Sequence, residues 1–269
     1  MRTLCSLITL IALTASSAPV TENPRCTAPE GEPLAGVRIC VDAGHGGQSW
    51  GRTRGYTGGT RSAVSDQTES DANLRVALFL WDLLTQAGAE VVMTRTEETR
   101  LSEDCLEPSN SQAYRENRSR ELGIRCRVAE ANDCDCIISI HHNAVGNASV
   151  NFSTAFFFDP VQYRSDEGTE PPVEHPAENV ALARSLAEAI VASLDEHLQV
   201  GSRPARHGDY HVLRETSLPA VIVEAAFMTN PDQAEWMENL AYHRLAAIAI
   251  FEGILAAHGV TTETEEEAN

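Results

Sequence analysis

Apolar residues recur along this chain at two spacings. Short, mainly apolar runs at 37–41, 91–93, 136–140, 155–158 and 220–224 read as buried strands. Between them the spacing turns helical. Leu74, Ala77, Leu78, Trp81 and Leu84 predict an amphipathic helix over 71–86, with Gly88 placed to end it. Val180, Ala183, Leu186, Ala187 and Ile190 predict another over 179–194, and residues 232–257 supply the closing helices. The remaining intervals are polar. Residues 48–67 are rich in Gly, Ser, Thr and Arg and read as a loop, as does the Pro-rich, acidic stretch 159–176. Residues 97–120 read as loop-like with short helices, and 127–132 as the close of a further helix. Strands alternating with helices predict an α/β fold, a single domain with a central mostly parallel or mixed sheet flanked by helices. No internal repeat is present.

The ends of the chain change this picture. Arg2, the apolar stretch 7–13 and the small residues Ala15-Ser16-Ser17-Ala18 have the layout of a secretory signal peptide. The stretch is too short to span a bilayer comfortably. The expected organisation is a signal peptide at 1–18, a polar linker at 19–35, the folded domain at 36–259 and an acidic tail at 260–269. The implied location is outside the cytoplasm, periplasmic or extracellular, with no membrane span after processing. The polar run before Cys26 does not resemble a lipid-attachment site.

The sequence has seven cysteines, of which Cys5 lies in the signal peptide. Cys26, Cys40, Cys105, Cys126, Cys134 and Cys136 are left, an even set that suggests disulfides in an exported chain. Cys105 and Cys126 bracket a polar stretch and are the favoured pair. A metal site through Cys134-Asp135-Cys136 is the competing reading, weakened because no second pair follows at finger-like spacing. The net charge of −19 argues against nucleic acid and against an anionic membrane surface as partners.

The chemistry-bearing residues sit at the ends of strand-like runs. His45 follows the first run inside Gly44-His45-Gly46-Gly47, His141 and His142 close the run 136–140, and Glu224 closes 220–224. Open α/β sheets gather functional groups at strand ends. Two histidines and a carboxylate could hold Zn²⁺ and leave one position open. Taken singly, each residue has a plainer reading. A lone histidine is most often structural, and Glu69 before a helix is a favourable N-terminal charge. The three do not form a short zinc motif.

Taken in order, the segments resemble the zinc-dependent N-acetylmuramoyl-L-alanine amidases of the amidase 3 family. The matching segments are Val41-Asp42-Ala43-Gly44-His45-Gly46-Gly47, Glu69 with Asn73-Leu74, Val92-Met93-Thr94-Arg95, Arg127-Val128-Ala129-Glu130-Ala131-Asn132, Ser139-Ile140-His141-His142-Asn143-Ala144 and Leu218-Pro219-Ala220-Val221-Ile222-Val223-Glu224. The match runs from about Val37 to the C-terminal helices. Ser70 stands where the family usually has Lys, Ala226 where it usually has Gly, and Pro204 where a Gly often follows Arg203.

The resemblance implies that His45, Glu69 and His141 bind Zn²⁺ and that Glu224 is general base and then acid. It implies hydrolysis of the amide between N-acetylmuramic acid and L-alanine in peptidoglycan. His142 is expected to be structural or to line the pocket edge, since neighbouring strand residues face opposite ways. Arg206 is a candidate for a peptide carboxylate, with a plain surface arginine as the equal alternative. Some family members carry a long helix that blocks the zinc until a protein activator displaces it. Residues 159–176 are short and Pro-rich by comparison, so no such block is expected, while an activator stays open as a partner. The alternatives are a non-catalytic cell-wall-binding module of the same fold and a zinc hydrolase acting on another amide.

Overall fold

The computed structural model describes residues 31–47, 58–102, 111–164 and 171–260. The expected signal peptide, Cys26, Cys105, the first part of the linker (19–30) and the acidic tail beyond Val260 lie outside these residues.

Six strands form one sheet in the order β2-β1-β3-β6-β4-β5. They are β1 (Arg38–Ala43), β2 (Glu90–Met93), β3 (Cys136–Asn143), β4 (Thr154–Phe157), β5 (Arg206–His207) and β6 (Ala220–Phe227). β1 pairs in parallel with β2 and β3, and β3 with β6. β4 runs antiparallel to β6 and parallel to β5, which makes the sheet mixed. The parallel strands are apolar almost throughout because helices cover both their faces.

One face carries α1 (Glu69–Gln86), α3 (Ala177–Leu198) and α6 (Leu240–Ala257). Ile39, Val41, Ile138 and Val223 meet Leu80, Leu84, Ile190 and Ile254 in the main core there. α6 is long and apolar enough to cross a membrane by length and composition alone, but it packs against α1 and α3 as the central core helix. Gly253 lets α6 approach α3 closely, since a Cβ there would lie 2.5 Å from Ile190 Cα. The short α5 (Pro231–Met237), capped by Asn230, leads into α6.

The opposite face carries α2 (Ser111–Ala131) and the short α4 (His211–Arg214), over a smaller cluster of Cys40, Cys126, Ile137, Val212 and Ile222. Here the structure departs from the sequence reading. Much of the polar stretch 97–120 is the first half of one long helix, α2. Its apolar stripe is thin, and its buried side includes Glu121 and Arg125. Hydrophobic periodicity alone therefore leaves it unmarked.

The cysteines also sort by face. Cys136 belongs to the main core, whereas Cys134 belongs to the smaller cluster. Cys134 lies before β3, which begins only at Cys136, and the chain bends at Asp135 between them, so strand alternation does not reach it. The two thiols do not converge, so the Cys134-Asp135-Cys136 metal reading is corrected. Cys40, Cys126, Cys134 and Cys136 are all free thiols. The Cys126 thiol donates to the Val212 carbonyl at 3.8 Å, and its favoured partner Cys105 lies outside the described residues.

Candidate active site

The site assembles where parallel strands end. β1 runs out at Ala43, and His45 sits in the left-handed region (φ 62°), a strained conformation for a non-glycine residue. Its loop is held from behind. Arg95 donates to the carbonyls of Ala43 (2.9 Å), Gly44 (3.0 Å) and Ser70 (2.8 Å). Arg125 donates to the carbonyls of Ala43 (3.0 Å) and His45 (2.5 Å). Asn73 adds a bond from Nδ2 to the Gly44 carbonyl at 3.1 Å.

Asp42 balances this buried positive charge. It pairs with Arg125 and accepts from Thr94 Oγ1 (2.7 Å) and Ser139 Oγ (2.6 Å). Burial opposes its ionisation, but Arg125 and the two hydroxyls outweigh burial and hold its pKa below the usual value.

Glu69 is the first residue of α1, which is capped by Thr68. A carboxylate there faces the positive end of the helix. Its Oε2 also accepts from the Thr60 amide at 3.0 Å. Its Oε1 lies 3.1 Å from His45 Nε2 and 3.1 Å from His141 Nδ1. Burial opposes its charge, yet the adjacent His45 and His141 hold its pKa well below the usual range. Burial in turn lowers the pKa of His141, against the opposing pull of Glu69.

One potential ligand atom from each of His45, Glu69 and His141 lies within 4.8 Å of the others. Glycines make room for this convergence. A Cβ at Gly44 would sit 2.3 Å from His141 Nε2, and one at Gly59 would sit 2.5 Å from Glu69 Oε2. Two imidazoles and a carboxylate match the donor set of a zinc site that keeps an open position. The residues present therefore fit the ion.

Glu224 faces the same cleft. It stands in register with His141 across the β3–β6 pairing. Its Oε2 is buried without a hydrogen-bond partner. Burial first, and then the Glu69 charge, push its pKa well above the ordinary carboxylate value.

The cleft has a volume of about 250 Å³ and is lined by all four of these residues. Leu122 of α2, Val212 of α4 and Ile222 of β6 give it an apolar wall, and Arg118, Tyr210 and His211 add polar groups. Sequence reasoning missed these last three. Arg118 lies in the unread half of α2, and Tyr210 and His211 begin a four-residue helix too short to show a period.

Other expectations resolve plainly. His142 is 1% exposed and turns away from His141. Its Nδ1 meets Asn73 Oδ1 at 2.7 Å and its Nε2 meets the Tyr242 hydroxyl at 2.8 Å, so its ring is structural, while the residue also lines the edge of the cleft. Arg206 stacks on the Phe156 ring at 4.9 Å and does not line the cleft. Neither do Ala226, which is buried in the core, and Pro204. Ser70, in place of the usual Lys, donates to Glu98 at 2.6 Å.

A family model for N-acetylmuramoyl-L-alanine amidase matches residues 39–256. The chain belongs to that amidase family. Among its relatives, the germination-specific N-acetylmuramoyl-L-alanine amidase of Bacillus subtilis is 26% identical over 83% of this chain and 80% of that protein. The uncharacterised YqiI of the same species is 28% identical over 94% of this chain and 97% of that one. The probable cell wall amidase LytH of Staphylococcus epidermidis is 25% identical over 82% of this chain and 58% of its own length.

Solved structures of amidases share the fold. The CwlD amidase of Clostridioides difficile, in complex with the GerS lipoprotein, superposes with a TM-score of 0.65 at 22% identity, covering 82% of this chain and 98% of that one. The Ami1 amidase of Mycobacterium smegmatis gives 0.62 at 20% identity, covering 84% and 98%.

Proposed function

We propose that this chain is an exported, zinc-dependent hydrolase. Its substrate is the amide joining the lactyl group of N-acetylmuramic acid to L-alanine of the peptidoglycan stem. The observation that carries the reading is the meeting, in one cleft, of the His45/Glu69/His141 cluster with the unpartnered buried carboxyl oxygen of Glu224. Family membership supplies the peptidoglycan amide as substrate class.

His45, Glu69 and His141 would hold the ion. When bound, zinc supplies a Lewis acid that acidifies water and polarises the scissile carbonyl. Glu224 acts on the protons. Its carboxylate takes one from the attacking water, and burial makes it a stronger base than an exposed glutamate. The same carboxyl then returns the proton to the departing L-alanine nitrogen, which leaves as the amine. The apolar wall of Leu122, Val212 and Ile222 limits water around the reacting groups.

The proposed catalytic unit spans 36–259, behind a leader and linker. Activity without a displacing partner is part of the proposal, because the stretch 159–176 is short and Pro-rich for an inserted blocking helix. The complex of the related CwlD with GerS favours a second reading, in which a partner protein is required.

Elemental analysis and digestion test the proposal together. The purified protein should hold stoichiometric zinc, lose it in His141→Ala, and release fragments from sacculi alone. A folded protein that binds no zinc would overturn the metal assignment. Release that appears only after a second protein is added would establish the partner-dependent reading.

A further inference from the structure

Cys40 and Cys134 meet at the end of the sheet remote from the cleft. Cys40 lies midway along β1 and Cys134 lies two residues before β3 begins, whereas the cluster residues follow the other ends of these strands. Both are buried in the smaller apolar cluster, at 0% and 3% exposure. Their thiols are hydrogen-bond partners.

The turn that carries Cys134 is fixed to β1 from both sides. The Asp135 amide donates to the Arg38 carbonyl at 2.7 Å, and the Arg38 amide returns a bond to Asp135 Oδ2 at 2.7 Å. Arg38 Nη1 reaches the Asn132 carbonyl at 2.9 Å, and the Cys134 amide donates to the Ala129 carbonyl at 3.0 Å. The contact between the two sulfurs is therefore set by main-chain bonding rather than by mobile side chains. The other described thiols are turned elsewhere, Cys126 toward the Val212 carbonyl and Cys136 into the opposite core.

We propose that Cys40 and Cys134 are joined by a disulfide when the protein folds in an oxidising compartment. The proposal rests on the export reading above but not on the catalytic one. Two electrons and two protons pass to a disulfide donor of the thiol–disulfide exchange class, such as oxidised glutathione or a disulfide-donating oxidoreductase. Cys134 attacks one sulfur of the donor and releases the first thiol, leaving a mixed disulfide. Cys40 then loses its proton, attacks Cys134 Sγ and releases the second thiol.

The order of attack follows from the surroundings. The Cys40 hydrogen bond, assisted by Arg38, favours the thiolate of Cys134 against the cost of its burial. Cys40 gives up its proton reluctantly beside Cys134 and in its buried setting. The bond would close the chain from 40 to 134, a segment that contains His45 and Glu69. It would restrict the unfolded chain while leaving the cleft untouched.

The test is a mass map of the full chain folded in a glutathione redox buffer, alkylated, and cleaved after arginine and before aspartate, so that the cut after Arg38 separates Cys26 from Cys40. Cleavage before Asp135 separates Cys134 from Cys136. A cross-linked pair of peptides carrying Cys40 and Cys134, lighter by two hydrogens and split by reductant, is the expected result. Reduction should lower the Tm by roughly 5–15 °C. That reductant-dependent shift should vanish in Cys40→Ala and in Cys134→Ser, with zinc content unchanged. Alkylation of both cysteines after oxidation, or pairing of Cys40 with any other cysteine, would overturn the proposal. A chain that forms the bond yet cuts no peptidoglycan would sink the catalytic reading alone.

Discussion

Arg125 reaches from α2 to the main-chain carbonyl of His45 while pairing with Asp42. One buried guanidinium thus ties the strand end to the proposed ligand. Replacement by Leu would strand the Asp42 charge and cost about 3–5 kcal/mol of stability. Arg125→Lys keeps the charge but loses the planar fork. We expect this milder variant to fold and to bind zinc roughly 10–100-fold more weakly. Zinc titration against a competing chelator checks it, and unchanged affinity would show that the clamp does not position His45.

Asn73 bridges the Gly44 carbonyl and the His142 ring, joining the loop of the first ligand to the strand of the third. Asn73→Ala leaves a buried imidazole nitrogen of His142 without its partner and removes one of the two donors to the Gly44 carbonyl, which keeps Arg95. The expected loss is about 1–3 kcal/mol in urea unfolding. A loss within a few tenths of a kcal/mol would mean that neither bond contributes.

That bridge also marks what the sequence could and could not reveal. The buried strands are legible as short apolar runs, and α1 and α3 because their apolar residues recur at helical spacing. His45, His141 and Glu224 are legible because they follow or close apolar runs, while Glu69, in a polar stretch before a helix, is legible only through the ordered resemblance, which gives each a role. Asn73 appeared only as part of a motif, with nothing to show that it reaches both Gly44 and His142. The first half of α2 looks loop-like in the sequence, with only its close at 127–132 legible, because Arg125 and Glu121 face inward where a helix would show an apolar stripe. Strand alternation groups Cys134 with Cys136, but β3 begins only at Cys136 and the chain bends at Asp135.

His243 is fully buried, and burial lowers its pKa to about 4. Its pKa in the unfolded chain is about 6.5. The unfolded state therefore takes up a proton first as pH falls. Stability from this group is fully present above pH ~6.5 and is lost as pH falls toward the folded value. Between pH 7 and 5 the loss should be about 2 kcal/mol. His142, lowered to about 3, adds in the same direction. Urea unfolding at the two pH values should show a smaller difference for His243→Gln than for the parent chain. Equal differences would contradict the burial argument.

Gly253 marks a close approach of α6 to α3. A valine there would press on Ile190 Cα and N, 2.5 and 2.8 Å from the new Cβ. Main chain cannot yield as a side-chain tip can, so Gly253→Val should cost about 1–3 kcal/mol by overpacking. Thermal unfolding reads this directly. A Tm equal to or above that of the parent chain would mean the two helices separate freely.

The central claim concerns Glu224 and the bond it helps to cut. The direct measurement is digestion of purified peptidoglycan by the zinc-loaded protein and by Glu224→Gln, with products identified by mass spectrometry. The account predicts intact stem peptides with a free L-alanine amino terminus from the parent chain. The variant should keep its zinc and fold and release them at least ~100-fold more slowly. Equal release by the variant, or release of sugar fragments or shortened peptides in place of intact stems, would contradict it.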